Sequence, residues 1–296
     1  MITELRSTQN YPAGKEDVST RNLDGGTGVL LSVVIPTKNR PLMVRGAIRS
    51  FSDYGPSLEL IVVDDCSGLQ ASSELRDFCH TLERCAYWRL PMGRGAGAAR
   101  NWGVSVSHGK YIWFVDDDDT ASVNTVRDVA TALGEKVDER SVLLLPMSVR
   151  RAGREQALIM PRKRINSYEE YRARAQCVNT SCAIFAREIV LAVGGWDEKL
   201  LSGQDTDLFL RVSAHAKFIC LETQPVHVNI GHPGRITTTV WRQQIGKLQF
   251  MRKHWGILTT ERRAYYLVTL LLWAPVFYCL LELVRHARRP TDRWVA

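Results

Sequence analysis

The chain has 296 residues, 45% apolar and 24% charged, an ordinary globular composition that excludes disordered, collagen-like and disulfide-scaffold classes. A chain this long buries roughly three quarters of its unfolded surface, so it needs no metal or disulfide merely to hold a core. The net charge of +8 belongs entirely to residues 235–296, where eleven basic residues stand against three acidic ones, and an anionic membrane surface or a nucleic acid is the partner class to consider. Seven cysteines, without CxxC or Cys/His finger spacing, read as reduced small hydrophobes of a cytosolic protein. No apolar signal core follows Met1, so secretion is not expected.

Residues 1–28 are rich in Gly, Ser, Thr, Asn and Asp and read as a flexible lead-in. From Val29, short β-branched runs (LLSVVIP, ELIVVDD, CAYWRLP, KYIWFVDDDD) alternate with segments of helical spacing (RPLMVRGAIRSF, SSELRDFCHTLERC, GAGAARNWGVSVSHG). The runs are uniformly apolar, which predicts an α/β fold with a mainly parallel sheet sandwiched by helices. A helix (SVNTVRDVATALGEKV) then leads to one strand, SVLLLPMSV. Residues 150–174 are basic and predicted irregular, elements resume from NTSCAIFA to KFICLE, and residues 236–296 read as a helical extension.

In an open parallel sheet, ligands bind beyond the carboxyl ends of the strands. Apolar strands here stop at VVIPTKNR, IVVDDCS and WFVDDDD, which gathers charged groups around one cleft. The four consecutive aspartates Asp116 to Asp119 repel one another, and a hard divalent cation, Mn²⁺ or Mg²⁺, relieves that repulsion. The competing reading is an acidic turn capping the helix that starts near Ser122. Gly93 to Arg100 matches a glycine-rich dinucleotide fingerprint only loosely, and its glycines suit close packing at a helix start. Arg100 is then either a bidentate phosphate contact or a plain surface arginine.

The ordered set VVIPTKNR, VVDDCS, GRGAGAARNWGVSVSHGKYIWFVDDDD, VGGWDEKL and GQDTDLFLR, from about Leu30 to Thr239, resembles the family 2 glycosyltransferases of GT-A fold. The resemblance implies an inverting, metal-dependent transferase that uses a nucleotide-diphosphate sugar with a UDP-, GDP- or dTDP-linked donor. It places Pro36, Thr37, Asn39 and Arg40 around the nucleoside and Asp65 at the base edge. Asp116 and Asp118 fall on the DxD motif as metal and ribose contacts, with Asp117 and Asp119 in support and Arg100 facing the diphosphate. Gly195 and Trp196 fall in a turn near the sugars. Asp205 takes the place of the general base in a motif whose leading Glu is here Gln204, a departure from the pattern. Asp207 reads either as part of that motif or as a first-turn residue of a helix. His232 is a further metal candidate and His227 a structural histidine.

The resemblance leaves the acceptor open: a hydroxyl of a glycan or lipid-linked saccharide in cell-surface polysaccharide synthesis, or a lipid phosphate, as in a polyprenyl-phosphate sugar synthase. Asp205 favours the first, since a phosphate needs no deprotonation. Processive synthases of the family carry several spans and a QxxRW motif, and neither occurs here. A nucleic-acid-binding protein is the remote third reading, and no recognised binding motif supports it.

Residues 264–281 (AYYLVTLLLWAPVFYCLL) form 18 positions without a charge, about 27 Å as a helix and borderline for a bilayer. Pro275 interrupts them, aromatic residues suit an interface, and arginines flank both ends, against the one-sided enrichment of a simple span. An interfacial helix, a span and a helix buried on the catalytic domain or on a second copy all stay open. A lipid-linked acceptor would suit the first, at the inner face of the cell membrane. The expected organisation is therefore a lead-in (1–28), a GT-A domain (29–235) and a basic, apolar helical region (236–296). Oligomeric state is not legible.

Overall fold

The computed structural model describes residues 28–51, 55, 57–135, 138, 140–161, 168–173, 179–230 and 240–271. Four strands, β1 (Leu31–Thr37), β2 (Leu58–Asp64), β3 (Cys85–Arg89) and β4 (Tyr111–Phe114), alternate with helices α1 (Pro41–Arg49), α2 (Leu69–His80) and α3 (Ala96–Val106). Strands β1, β2 and β4 are buried along their whole length, as continuous apolar runs covered on both faces should be. After α4 (Val123–Gly134) come β5 (Ser141–Leu144), β6 (Met147–Arg151), β7 (Arg154–Ile159), α5 (Tyr168–Ala173), β8 (Ala183–Ala186), α6 (Arg187–Ala192) and α7 (Gln204–Ser213). The chain continues through β9 (Lys217–Cys220) and β10 (Val226–Ile230) to α8 (Val240–His254).

The main sheet has seven strands in the order β3-β2-β1-β4-β8-β5-β9, and only β8 runs antiparallel to its neighbours. β1 pairs in parallel with β2 on one side and β4 on the other, so the strand order reverses at β1. Such a reversal opens a crevice at the carboxyl ends of the strands. It brings together Thr37, Asp64 with Asp65, and Asp116 with its three successors.

The register of β4 against β1 has a visible anchor. Glu59, fully buried in β2, accepts hydrogen bonds from Ser32 Oγ (2.5 Å) and from the amides of His108 (2.6 Å) and Gly109 (3.2 Å). Gly109 lies so close to β1 that a Cβ would come within 2.6 Å of the Ser32 amide nitrogen, which leaves glycine as the residue that fits.

Two expectations for the middle of the chain need correction. The predicted single strand SVLLLPMSV is two strands in different sheets, because the chain leaves the main sheet at Pro146, which cannot donate to a ladder. The predicted irregular stretch 150–174 contains a hairpin. β6 and β7 pair antiparallel around Ala152 (φ 48°) and Gly153 (φ 77°), the left-handed pair that a tight hairpin turn requires, and β10 completes this small sheet. All six residues of β7 are exposed, so it carries no apolar period to read.

The C-terminal helices lie on the catalytic body. Phe250 of α8, with Leu258 and Tyr266, belongs to the same buried cluster as the sheet. In the helix over 260–271, Arg262 is 3% exposed, lies over the Phe250 and Tyr266 rings and donates to the Tyr171 carbonyl. The opposite side of that helix leaves Tyr265, Leu267, Val268 and Leu271 exposed. Of the apolar run 264–281, residues 272–281 lie outside the described part. Among the described residues, no helix is long and apolar enough to cross a membrane.

The centre of the sheet rests on Trp113, fully buried, edge-on to Phe51 at 5.1 Å and donating from Nε1 to the Ser181 carbonyl. Trp113→Ala is expected to cost about 3–5 kcal/mol of stability, read as a lowered urea midpoint with circular dichroism.

Candidate active site

The site starts where β1 ends. Thr37 Oγ1 donates to Asp117 Oδ2 at 2.8 Å, and Arg40 pairs with Asp117 Oδ1 at 3.1 Å. Asn39, in the left-handed region (φ 55°), donates its amide to Ser67 Oγ and accepts from the Gly68 amide. Pro36 is buried within β1 opposite Val63. The loop expected to surround a nucleoside is thus fastened to both the 64–68 turn and the acidic end of β4.

The two aspartates that close β2 divide their work. Asp64 is fully buried and accepts from Ser67, Ser72 and Tyr87, a structural hub that, together with burial, pushes the Tyr87 phenol up. Asp65 accepts from the Arg94 amide (2.6 Å) and the Gly95 amide (3.1 Å), and Lys38 pairs with it at 3.1 Å. It therefore sets the start of α3, one turn before Arg100. Arg100 Nη2 donates to Asp116 Oδ1 at 2.6 Å, and its guanidinium lies 4.4 Å from the Trp196 ring centroid. This arginine is 8% exposed and is not a surface residue.

Residues 116–119 form a turn closed by the Asp119 amide on the Asp116 carbonyl at 3.0 Å. The turn brings the first and fourth aspartates together, so the carboxylates of Asp116, Asp118 and Asp119 offer oxygens within 4.8 Å of one another. Asp117 points instead to Thr37 and Arg40. Asp119 is fully buried and accepts from Ser181 Oγ (2.6 Å) and the Asn229 amide (3.0 Å). Burial pushes its carboxyl well up, with Asp116 and Asp118 adding to the effect. Burial also raises Asp117, against the opposing pull of Thr37 and Arg40. None of the four caps a helix: Ser122 caps α4, its Oγ accepting from the Thr125 amide.

A set of crowded, desolvated carboxylate oxygens suits a hard divalent cation such as Mg²⁺ or Mn²⁺, and no soft ligand is among them. His232, the further candidate ligand, lies outside the described residues. His227 sits in β10 with Nε2 3.2 Å from Arg150 Nη2, and burial together with that arginine lowers its pKa. It is not a member of the carboxylate group.

Beside Arg100 stand the turn 194–198 and α7. Gly195 (φ 70°) lies against Asn101, where a Cβ would come within 2.5 Å of the side-chain oxygen. Asn101 accepts from the Trp196 amide and donates to the Trp196 carbonyl and Glu198. Trp196 is 2% exposed and edge-on to Phe114, so it acts from beneath Arg100. Asp205, half-buried in the first turn of α7, accepts from the Thr206 amide at 2.7 Å. Its neighbour Gln204 donates to the Leu200 carbonyl and lies against Gly97, where a Cβ would come within 2.9 Å of it. The helix bearing Arg100 and the helix bearing Asp205 are therefore in contact.

Asp207 is more than a first-turn residue. It is fully buried and pairs with Arg211 (2.5 Å), Lys253 (2.7 Å) and His254 (2.7 Å), and the hydrogen bonds and positive charge around it hold its carboxyl well below the usual range. Sequence reasoning also missed Asn101, Ser181 and Asn229. They are single polar residues without a motif, identified only by what they touch.

The raised carboxyls have a pH consequence. The folded chain holds protons on Asp119 and Asp117 at pH values where the unfolded chain has released them, so their contribution makes stability fall as pH rises above about 4. Asp207, held low, loses its contribution only below that window. Melting temperature in chelator should therefore fall less steeply with pH in Asp119→Asn than in wild type, and Mn²⁺ should raise the wild-type value most at neutral pH. Differential scanning fluorimetry checks both.

Residues 32–188, more than half of the chain, match the family model described as glycosyl transferase family 2. The chain is 35% identical over 99 residues to the putative colanic acid biosynthesis glycosyl transferase WcaA of Escherichia coli (strain K12), a match covering 32% of this chain and about a third (34%) of that relative's length. Among solved structures it resembles S. aureus TarS 1–349 in complex with UDP-GlcNAc, with a TM-score of 0.61 at 19% identity over 81% of this chain and 72% of that one. It also resembles the mannosyltransferase PcManGT from Pyrobaculum calidifontis in complex with GDP-Man and Mn2+, with a TM-score of 0.55 at 16% identity over 85% and 71%. The strand order around β1 is that of the GT-A fold expected from the sequence, and the chain belongs to glycosyl transferase family 2.

Proposed function

We propose that this protein is a metal-dependent inverting glycosyltransferase that moves a sugar from a nucleotide-diphosphate donor to a hydroxyl of a glycan or lipid-linked saccharide in cell-surface polysaccharide synthesis. The observation that carries this reading is the convergence of Asp116, Asp118 and Asp119 with Arg100 at the reversal of strand order, one helix contact from Asp205. A UDP-, GDP- or dTDP-linked donor fits the loop Pro36 to Arg40, with Asp65 at the base edge. The solved neighbours, one in complex with UDP-GlcNAc and one in complex with GDP-Man, support that donor class.

In this reading Asp205 accepts the proton of the acceptor hydroxyl as its oxygen attacks the anomeric carbon. The bond from that carbon to the diphosphate oxygen breaks on the opposite face, which inverts the centre. Arg100, freed from Asp116 or shared with it, meets the negative charge that grows on the departing diphosphate. Asp118 and Asp116 would hold Mn²⁺ or Mg²⁺, with Asp119 behind them; the bound cation supplies charge neutralisation at the leaving group.

We infer further that the enzyme works on the inner, anionic face of the cell membrane. The exposed side chains of Tyr265, Leu267, Val268 and Leu271, and the basic excess of residues 235–296, support this placement.

Asp118→Ala should abolish Mn²⁺-dependent nucleotide binding by calorimetry, and unchanged binding removes it from the ligand set. Asp205→Asn should keep nucleotide affinity and lose about 10²–10⁴-fold in transfer, assayed with the donor that a thermal-shift screen of UDP-, GDP- and dTDP-sugars selects. Val268→Ser combined with Leu271→Ser should weaken co-sedimentation with anionic vesicles without lowering solubility.

A further inference from the structure

The turn 194–198 and the first turn of α7 share a third element that touches both. They are held by α8. Gly246 lies on the loop between them so closely that a Cβ would meet the Ser202 amide nitrogen at 2.7 Å and its carbonyl oxygen at 2.8 Å. One turn further on, Gln249 accepts from the Leu201 amide and donates to the Lys199 carbonyl, both at 3.0 Å. One more turn along, Lys253 Nζ pairs with Asp197 Oδ2 (2.5 Å) and with Asp207 Oδ1 (2.7 Å). Positions 246, 249 and 253 share one helical face. That face runs along the loop from the residue after Trp196 to the residue two beyond Asp205.

We propose that α8 is a splint for the acceptor side of the site, with Lys253 as its positioning residue. The ammonium stands between two carboxylates. Asp197 follows the tryptophan that supports Arg100, and Asp207 lies in the same helical turn as Asp205. Lys253 thereby fixes the separation between the group facing the leaving diphosphate and the group facing the acceptor. It touches neither, so its effect falls on the alignment of attack and not on donor binding. Misalignment of this kind lowers the rate of the bound complex. Arg211 reinforces the bridge from within α7, pairing with Asp207 and donating to the Val193 carbonyl at 2.7 Å. The inference rests on the proposed role of Asp205 for its kinetic readout alone; the splint itself has a physical readout.

Two measurements on the full chain test it. In Lys253→Met, amide hydrogen exchange of residues 197–207 should quicken at least tenfold, while β1 and β4 keep the wild-type rate. In the same variant kcat should fall at least tenfold with the donor KM within twofold, and Lys253→Arg should restore most of it. Unchanged exchange in 197–207 overturns the splint, as does a uniform rise throughout the chain, which would mark general destabilisation. Quickened exchange with unchanged kcat overturns the positioning role. If wild type turns over none of the donors, the proposed function fails, and the exchange comparison still decides whether α8 holds the loop.

Discussion

Four aspartates in a row at the mouth of a buried sheet are the constraint around which this molecule is built. Oxygens of three of these carboxylates lie within 4.8 Å of one another, and two unit charges 4 Å apart repel by about 4 kcal/mol at an effective dielectric constant of about 20, so burial and this repulsion together hold the Asp119 carboxyl up. Such a cluster persists only if other elements supply donors. Thr37 and Arg40 come from the end of β1, Arg100 from α3, Ser181 from the turn before β8 and Asn229 from β10. The repulsion becomes an organising device, because each element that relieves it is drawn to the same point. The turn at 116–119 separates them: Asp117 and Asp119 are held by protein donors, while Asp116, the most exposed of the group, pairs with Arg100 beside Asp118.

The parts of this arrangement visible in the sequence are those whose cause is local. Uniformly apolar runs ending in charge identified β1, β2 and β4 and the end of the sheet where charged side chains gather. The turn expected at Gly195 and Trp196 does carry left-handed backbone, at Gly194 and Gly195. The β6–β7 hairpin escaped because its outer strand is exposed on every residue, which erases the period on which strand recognition depends. The sequence offered 116–119 as a turn with Asp119 in support, but the closure that pairs the first aspartate with the fourth depends on Ser181 and Asn229, which lie far along the chain.

The C-terminal region shows the limit of composition most clearly. Its excess of lysine and arginine reads as a surface seeking a polyanion, yet Lys253 and Arg262 of that excess, with the neighbouring His254, have partners within the fold. Lys253 and His254 meet Asp207, and Arg262 is buried between aromatic rings. Nothing within a few residues of 253 or 254 announces a carboxylate some 46 positions earlier. Charge counts locate a tendency; they do not tell which members of the count have already found partners inside the fold. A boundary drawn at residue 235 separates compositions, and α8 packs across it.

The hold of α8 on the loop 199–203 also sets an order of assembly. Chains are made from the amino terminus at about 5–20 residues per second, and strands β1 to β4 with their helices can pair while the remainder is still being added. The loop leading to Asp205 is different, since Gly246, Gln249 and Lys253 are its bed. Until those positions are free of the ribosome, the nascent protein has a sheet with a crowd of carboxylates at its edge and no fixed second wall opposite. That wall is completed last, so a chain released early carries the carboxylate cluster without the bed of the loop before Asp205.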